Sequence, residues 1–160
     1  MARTGEIELQ FGNERRLFRL NIGQLRAIEE RCGAGLPHIL AALSPAVQGV
    51  LMGLSLGQMI AQGMLGSWRV DYYREVIYQG LVGGGMNPTE AGALVAVLVD
   101  GPGPIPNVVL AAQIITAWIE GPMAEPIDMG ESKATPETPR PARRSRTAKP
   151  RSPKSMDAAP

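Results

Sequence analysis

An abrupt change in composition after Gly121 limits the part of the chain that can fold. Residues 122–160 contain eight of the 14 prolines and none of the seven aromatic residues. Such a segment cannot bury enough apolar surface to offset the entropy lost when its backbone becomes ordered. We therefore predict one folded domain over residues 1–121 and a disordered, Pro-rich, basic C-terminal tail over residues 122–160.

The predicted C-terminal tail contains a run of basic residues with no acidic residue between them. Its members include Arg140, Arg143, Arg144, Arg146, Lys149 and Arg151. We interpret this run first as a solvated, expanded tail, with electrostatic contact to an acidic protein or nucleic acid as the alternative. Seven aromatic residues offer little for base stacking, so we do not expect nucleic acid to be the partner.

The first twenty residues predict a β-hairpin. Residues 6–11 alternate strictly, which places Ile7, Leu9 and Phe11 on one face. Gly12 and Asn13 tolerate the backbone angles of a tight turn, and residues 15–20 return as a second strand. An isolated two-stranded hairpin is only marginally stable in water, so this hairpin must pack on helices.

Helix signals fill the rest of the predicted domain. Asn21 and Gln24 form a capping-box pattern before a helix over 22–32, and Gly33 lies where a glycine ends a helix. The pattern predicts four further helices, over residues 36–43, 70–82, 88–99 and 106–120, with Pro45 as a break. The fold class is therefore α+β and mainly α: an N-terminal hairpin packed on about four to six helices.

Two of these helices have apolar faces that we assign to the core. For the helix over 70–82 the face is Val70, Tyr73, Val76, Ile77 and Leu81. For the last helix the predicted face is Val109, Ala112, Ile115, Thr116 and Ile119. The charged residues Asp71, Arg74 and Glu75 have the spacing of solvated helix surface.

The segment over residues 45–67 is apolar, rich in Gly and Met, and part of a longer stretch, 33–67, that contains no charged residue. We interpret it as a buried or loosely helical insertion, or as a self-association surface. Residues 45–66 also have the length of a membrane span, and Gly49, Gly53 and Gly57 recur at the spacing of packed membrane helices. Five glycines and three glutamines argue against a span, so membrane association is kept only as an alternative.

The sequence contains no pattern typical of an active site. It has neither a phosphate-binding GxxxxGK[ST] loop nor an HExxH zinc motif, and it has one cysteine and one histidine. Cys32 lies on the apolar face of a helix, which indicates a core residue rather than a nucleophile. We predict no enzyme activity, no cofactor, no metal site and no small-molecule substrate. The N-terminus shows no signal-peptide pattern, so we expect a cytoplasmic protein.

Two blocks of sequence resemble a known family. One block is GEIEL at 5–9, LFRL at 17–20 and IGQLRAIE at 22–29; the other is YREVIYQGLVGGGMNPTEA at 73–91. In order and spacing they resemble the gene transfer agent family of tail proteins, which is grouped with phage tail assembly chaperones and is also called a tail tube family. The resemblance covers residues 5–43 and 70–121; the apolar insertion and the basic C-terminal tail fall outside it.

The resemblance implies a protein without enzyme activity, present in the bacterial cytoplasm during particle assembly. It would bind the tape measure protein before tail tube polymerisation, self-associate, and leave when the tail tube protein arrives. The alternative is a structural tail component, either a tail tube or a minor tail protein. The candidate partner-binding residues are Val76, Ile77, Leu81, Met86, Met52, Met59 and Met64, for each of which core packing is the other interpretation. Gly83, Gly84 and Gly85 form a candidate hinge.

Overall fold

The computed structural model describes residues 5–121, which form one antiparallel hairpin and six helices. The elements are β1 (Glu6–Phe11), β2 (Glu14–Arg19), α1 (Ile22–Cys32), α2 (Leu36–Leu51), α3 (Leu56–Ala61), α4 (Val70–Gly83), α5 (Pro88–Leu98) and α6 (Pro104–Glu120). The predicted class, α+β and mainly α with an N-terminal hairpin, is confirmed. The predicted disordered tail over 122–160, with its basic run, lies outside the described residues.

The hairpin has the predicted strands and a two-residue turn. Phe11 pairs with Glu14, and Ile7 pairs with Phe18. Gly12 adopts φ 66°, a left-handed conformation that costs glycine little. The rings of Phe11 and Phe18 meet edge to face, with centroids 5.8 Å apart. This apolar face of the hairpin packs on α4 and α6, which gives the marginal sheet the support it needs.

Helices α4 and α6 form the centre of the core. They pack against each other, and each of them contacts the hairpin and at least one further helix. The α4 side chains of Val76, Ile77 and Leu81 are fully buried, as predicted. Val70, at the first position of α4, is instead exposed. The end signals of α1 are also as predicted: Asn21 accepts hydrogen bonds from the N–H groups of Gly23 and Gln24, and Gly33 closes the helix at φ 63°.

The predicted face of α6 is confirmed only in part. Ala112 and Ile115 are buried as predicted, whereas Val109 and Thr116 are partly buried and Ile119 is exposed. The buried positions are Asn107, Val108, Leu110, Ala111, Ala112, Ile114 and Ile115. The helix begins at Pro104 rather than near 106, and it packs against α2, α4 and the hairpin. A helix covered from several sides buries more than one apolar stripe, so periodicity alone identified only part of the buried face.

Pro45 does not end a helix, contrary to the prediction. It lies inside α2, which continues to Leu51. Proline has no N–H, so the carbonyl of Ala41 lacks its usual donor within the helix. The helix persists because Ile39, Leu43 and Ala46 on its inner face are fully buried, and α2 packs against α6. Tertiary packing outweighs the local cost of the proline.

The charged residues of α4 are not all solvated, contrary to the prediction from their spacing. Glu75 is buried: one carboxylate oxygen accepts a hydrogen bond from Gln79 Nε2 at 2.8 Å, and the other lies 3.7 Å from Arg31 Nε. Arg74 reaches across to the end of α5, where Nε and Nη2 donate to Asp100 at 2.9 and 3.2 Å. The packing of α1 on α4 covers Glu75, a contact that helix spacing cannot reveal.

Cys32 is buried in the core, as predicted, and its Sγ donates to the Asp71 carbonyl at 3.5 Å. Burial, with smaller contributions from Glu75 and Asp71, raises the pKa of this thiol from 9.0 to about 11. At pH 8 the thiolate fraction should therefore be about 100-fold lower in the folded than in the unfolded chain. Because the folded pKa is the higher one, this thiol contributes stability below pH 9 that is lost as pH rises towards 11.

We expect an aromatic disulfide reagent to leave Cys32 unmodified in the folded protein at pH 8 and to modify it fully in denaturant. The measurement is the absorbance of the released thiolate over time, with and without denaturant. Rapid modification of the native chain would contradict the burial of this thiol.

No single helix in the described range is long and apolar enough to cross a membrane. Helices α1 and α2, which are bent by 73° relative to each other, have the length and composition of a broken span only when taken together. The apolar segment over 45–66 is divided between the end of α2 and α3.

Candidate interaction surface

A group of exposed apolar side chains lies where α2 ends and α3 begins. We call it the α2–α3 patch; its members are Val50, Leu51, Met52, Leu56 and Ile60. Leu51 and Met52 are the most exposed, at 80% and 65%. No charged residue occurs anywhere in residues 33–68. A group of exposed apolar side chains without charged residues among them is typical of the centre of a protein–protein interface.

The patch is held in place by a small number of specific contacts. Met59 is the one buried residue of α3. Its side chain packs on Gly49 of α2, where an added Cβ would lie 2.9 Å from Met59 Cγ and Cε. Ser55 caps α3 by accepting from the N–H of Gln58, whose side chain accepts from the N–H of Ser55. These contacts fix α3 while its other apolar side chains face solvent.

The residues predicted to bind a partner differ in exposure. Of the seven, Met52 is exposed, and Met64 and Met86 are partly buried. The other four lie in the core: Met59, Val76, Ile77 and Leu81. A partner that approached the folded domain would meet Met52 but not these four. Leu51, Leu56 and Ile60 were missed as candidates, although their place in the uncharged stretch was a usable signal.

The glycines predicted to form a hinge lie where α4 ends against the hairpin. Gly83 is the last residue of α4, Gly84 follows it at φ −74°, and Gly85 adopts φ 104°. A Cβ on Gly83 would overlap the carbonyl oxygen of Arg19, and one on Gly84 would overlap that of Leu17. The first two glycines thus allow the backbones of α4 and β2 to approach closely.

A second surface lies at the tip of the hairpin, beside the ends of α5 and α6. Two adjoining hollows, of about 340 and 420 Å³, share Phe11, Gly12 and Leu98 in their walls. Pro102, Pro106 and Asn107 line the first hollow, and Arg16, Leu94 and Val97 line the second. We call the two hollows together the hairpin-tip groove. Its walls are largely apolar, and none of the α2–α3 patch residues lines it.

The hairpin-tip groove contains two buried N–H groups that have no hydrogen-bond acceptor within residues 5–121. One is Nδ2 of Asn107, a residue that is 5% exposed. The other is Nε of Arg16, whose Nη2 forms an ion pair with Glu14 at 2.7 Å. Both atoms are almost wholly covered by the chain itself, so each unpaired donor is a local cost of packing within the fold.

A protein-family model matches residues 4–121, and its description is "Phage tail tube protein, GTA-gp10". The match includes the hairpin and all six described helices. The chain belongs to this tail tube family. This match confirms the resemblance to gene transfer agent tail proteins that the sequence suggested. No curated protein and no solved structure matches the chain.

For a member of the tail tube family, the two surfaces described above are candidate sites of contact with other proteins. The family description is that of a structural tail protein. Across the described residues, no group of three or more His, Cys, Asp and Glu side chains is placed to hold a metal ion. Cys32, the one cysteine of the chain, donates to the Asp71 carbonyl, and the ring of His38, its one histidine, meets the ring of Tyr72 edge to face. The exposed apolar side chains of the α2–α3 patch are suited to contacts between proteins.

Proposed function

We propose that this chain is a structural component of the tail of a gene-transfer-agent-like phage particle. The observation that carries the proposal is the extent of the family match, which covers residues 4–121 and so the whole described fold. A match of this extent involves the complete domain rather than one shared motif. In this role the chain contacts other tail proteins and further copies of itself.

The exposed surface supports a role in assembly. A tail subunit has to bury apolar surface against its neighbours, and the α2–α3 patch supplies such surface without charges that would need to be desolvated. Leu51 and Met52 project at a turn between two helices, where a neighbouring chain can reach them. The other apolar residues of α3 extend the same surface.

A second candidate function is that of a tail assembly chaperone that binds the tape measure protein before tube polymerisation. Two features favour it. The first is that the described residues form a sheet of two strands, whereas tube subunits usually need a larger β-sheet to close rings. Leu, Ile and Met side chains in the α2–α3 patch also suit the apolar faces of amphipathic helices. A chaperone of this kind would be released before the particle is complete.

The content of purified particles separates the two functions. We expect quantitative mass spectrometry of density-purified particles to detect this chain in many copies per tape measure protein. If the chain is absent from particles but co-purifies with the tape measure protein from cells and keeps it soluble, the structural proposal is wrong and the chaperone is favoured. A lysate of cells that express the chain without the other tail genes is the control for adhering protein.

A further inference from the structure

We propose that residues 53–63, which comprise α3 and the turns on either side of it, form a strap that lifts off α2 while the core stays folded. The side chain of Met59 is the latch that holds the strap closed. Lifting adds this side chain to the apolar surface of the α2–α3 patch, so the strap controls how much apolar surface the domain presents. The motion belongs to the single chain and is independent of the role that the chain has in the tail.

Helix α3 is the element least attached to the domain. No other helix or strand within residues 5–121 packs along it, whereas every other element packs closely against at least one neighbour. A helix of six residues is too short to be stable by itself in water. Met59 is its one buried residue; the exposed ones are Leu56, Gly57, Gln58, Ile60 and Ala61. The position of α3 therefore depends mainly on one side chain.

The latch is a methionine that fills a gap on α2. The gap exists because Gly49 has no side chain: an added Cβ would lie 2.9 Å from Met59 Cγ and Cε and 3.2 Å from Sδ. Met59 is only 2% exposed in this position. Methionine is unbranched and flexible, so it can leave such a gap and return without a rearrangement of the surrounding core.

Both ends of the strap carry a glycine at which the backbone can turn. Gly53 adopts φ 69° and Gly63 adopts φ 67°, and an added Cβ would meet nothing within 4 Å at either position. These glycines therefore serve backbone conformation rather than close packing. Outside the strap the chain is anchored to α2: the N–H of Met52 donates to the Gln48 carbonyl at 2.9 Å, and that of Ser67 donates to the Ala42 carbonyl at 3.2 Å.

Hydrogen exchange of the full chain, followed by mass spectrometry, tests whether the strap opens separately from the core. We expect the amides of residues 59–63 to exchange at one common rate, at least about tenfold faster than those inside α4. Met59→Ala should raise the rate in the strap by at least a further factor of about ten and leave α4 within about twofold. Equal acceleration of both regions, or of neither, would overturn the proposal.

Val76→Ala is the matched control, because Val76 is fully buried in α4. This variant should speed exchange inside α4 by at least about tenfold and leave the strap within about twofold, since the strap already exchanges through its own opening. If the strap accelerated together with α4, the two would open as one unit, which contradicts a separate strap.

A disulfide between positions 49 and 59 tests the latch directly. The Cβ that Gly49→Cys adds lies 2.9 Å from Met59 Cγ, the atom that the sulfur of Met59→Cys replaces. This is close to the distance of about 3 Å between the Cβ of one cysteine and the sulfur of its disulfide partner. We expect oxidation of the double variant to slow exchange in the strap by at least about tenfold, with native Cys32 still free, and reduction to reverse the effect. Unchanged exchange after the disulfide has formed, or failure of the disulfide to form, would overturn the proposal.

Discussion

Gly84→Ala should lower the free energy of unfolding by about 3 kcal/mol, at the upper end of the usual range for overpacking. Gly84 has φ −74° and ψ −4°, which alanine adopts without strain, so the expected effect is purely steric. The new Cβ would overlap the carbonyl oxygen of Leu17 in β2. The carbonyl oxygen belongs to the backbone of β2, and the Cβ is held directly by the backbone at the end of α4. Neither atom can turn aside, so the overlap is relieved only if the hairpin moves away from α4.

Gly92→Ala is the matched control for this substitution. Gly92 lies inside α5, and an added Cβ would meet only Tyr78 Cε2, at 4.0 Å. We expect this variant to be as stable as the parent or up to about 1 kcal/mol more stable, because alanine favours helix over glycine. Denaturant unfolding of the three proteins gives the comparison. Equal stability of Gly84→Ala and the parent would favour a mobile glycine hinge over close packing.

Ile77→Ala should destabilise the domain by about 3 kcal/mol, because it leaves a cavity in a fully buried site. Met52→Ala, at a position that is largely exposed, should change stability by less than about 0.5 kcal/mol. Both residues were candidates for partner binding, and their burial predicts opposite behaviour. Thermal and denaturant unfolding of the two variants measure the difference.

Association experiments complete this comparison. Met52→Ala should weaken self-association while the fold stays intact, whereas Ile77→Ala should affect association only as far as it unfolds the domain. If folded Ile77→Ala lost association and Met52→Ala did not, Ile77 would have to become exposed when a partner binds. The assignment of Ile77 to the core alone would then be wrong.

Features specified by a few neighbouring residues were predictable from the sequence. The turn of the hairpin depends on Gly12 and Asn13, which lie between the paired residues Phe11 and Glu14. The capping box of Asn21 and Gln24 is a local pattern that the structure reproduces. The turn and the capping box each involve residues within four positions of one another, so no tertiary information was needed to predict them.

Features that depend on distant contacts were not predictable. Pro45 lies within α2 because α6 packs against that helix, and Glu75 is buried because α1 covers it. The buried face of α6 is broad because it has several neighbours. In each case a contact between elements far apart in sequence outweighs the local pattern.

The candidate surfaces were predictable only in part. The uncharged stretch pointed to a self-association surface, and Met52 was identified within it. Met59 has the same side chain seven residues later, but it packs on Gly49 and is buried. The hairpin-tip groove combines β1, β2, α5 and α6, so no segment of sequence could indicate it.

The most direct test of the account is the copy number of two chains, the parent and Leu51→Glu, in particles purified from a strain that lacks the native gene. Leu51 is 80% exposed, so the substitution should leave the fold intact while it places a charge in the α2–α3 patch. We predict many copies of the parent per particle and a loss of at least about tenfold for Leu51→Glu, as expected when a charge must be buried. Equal incorporation of the two chains, or absence of the parent from particles, would contradict the account.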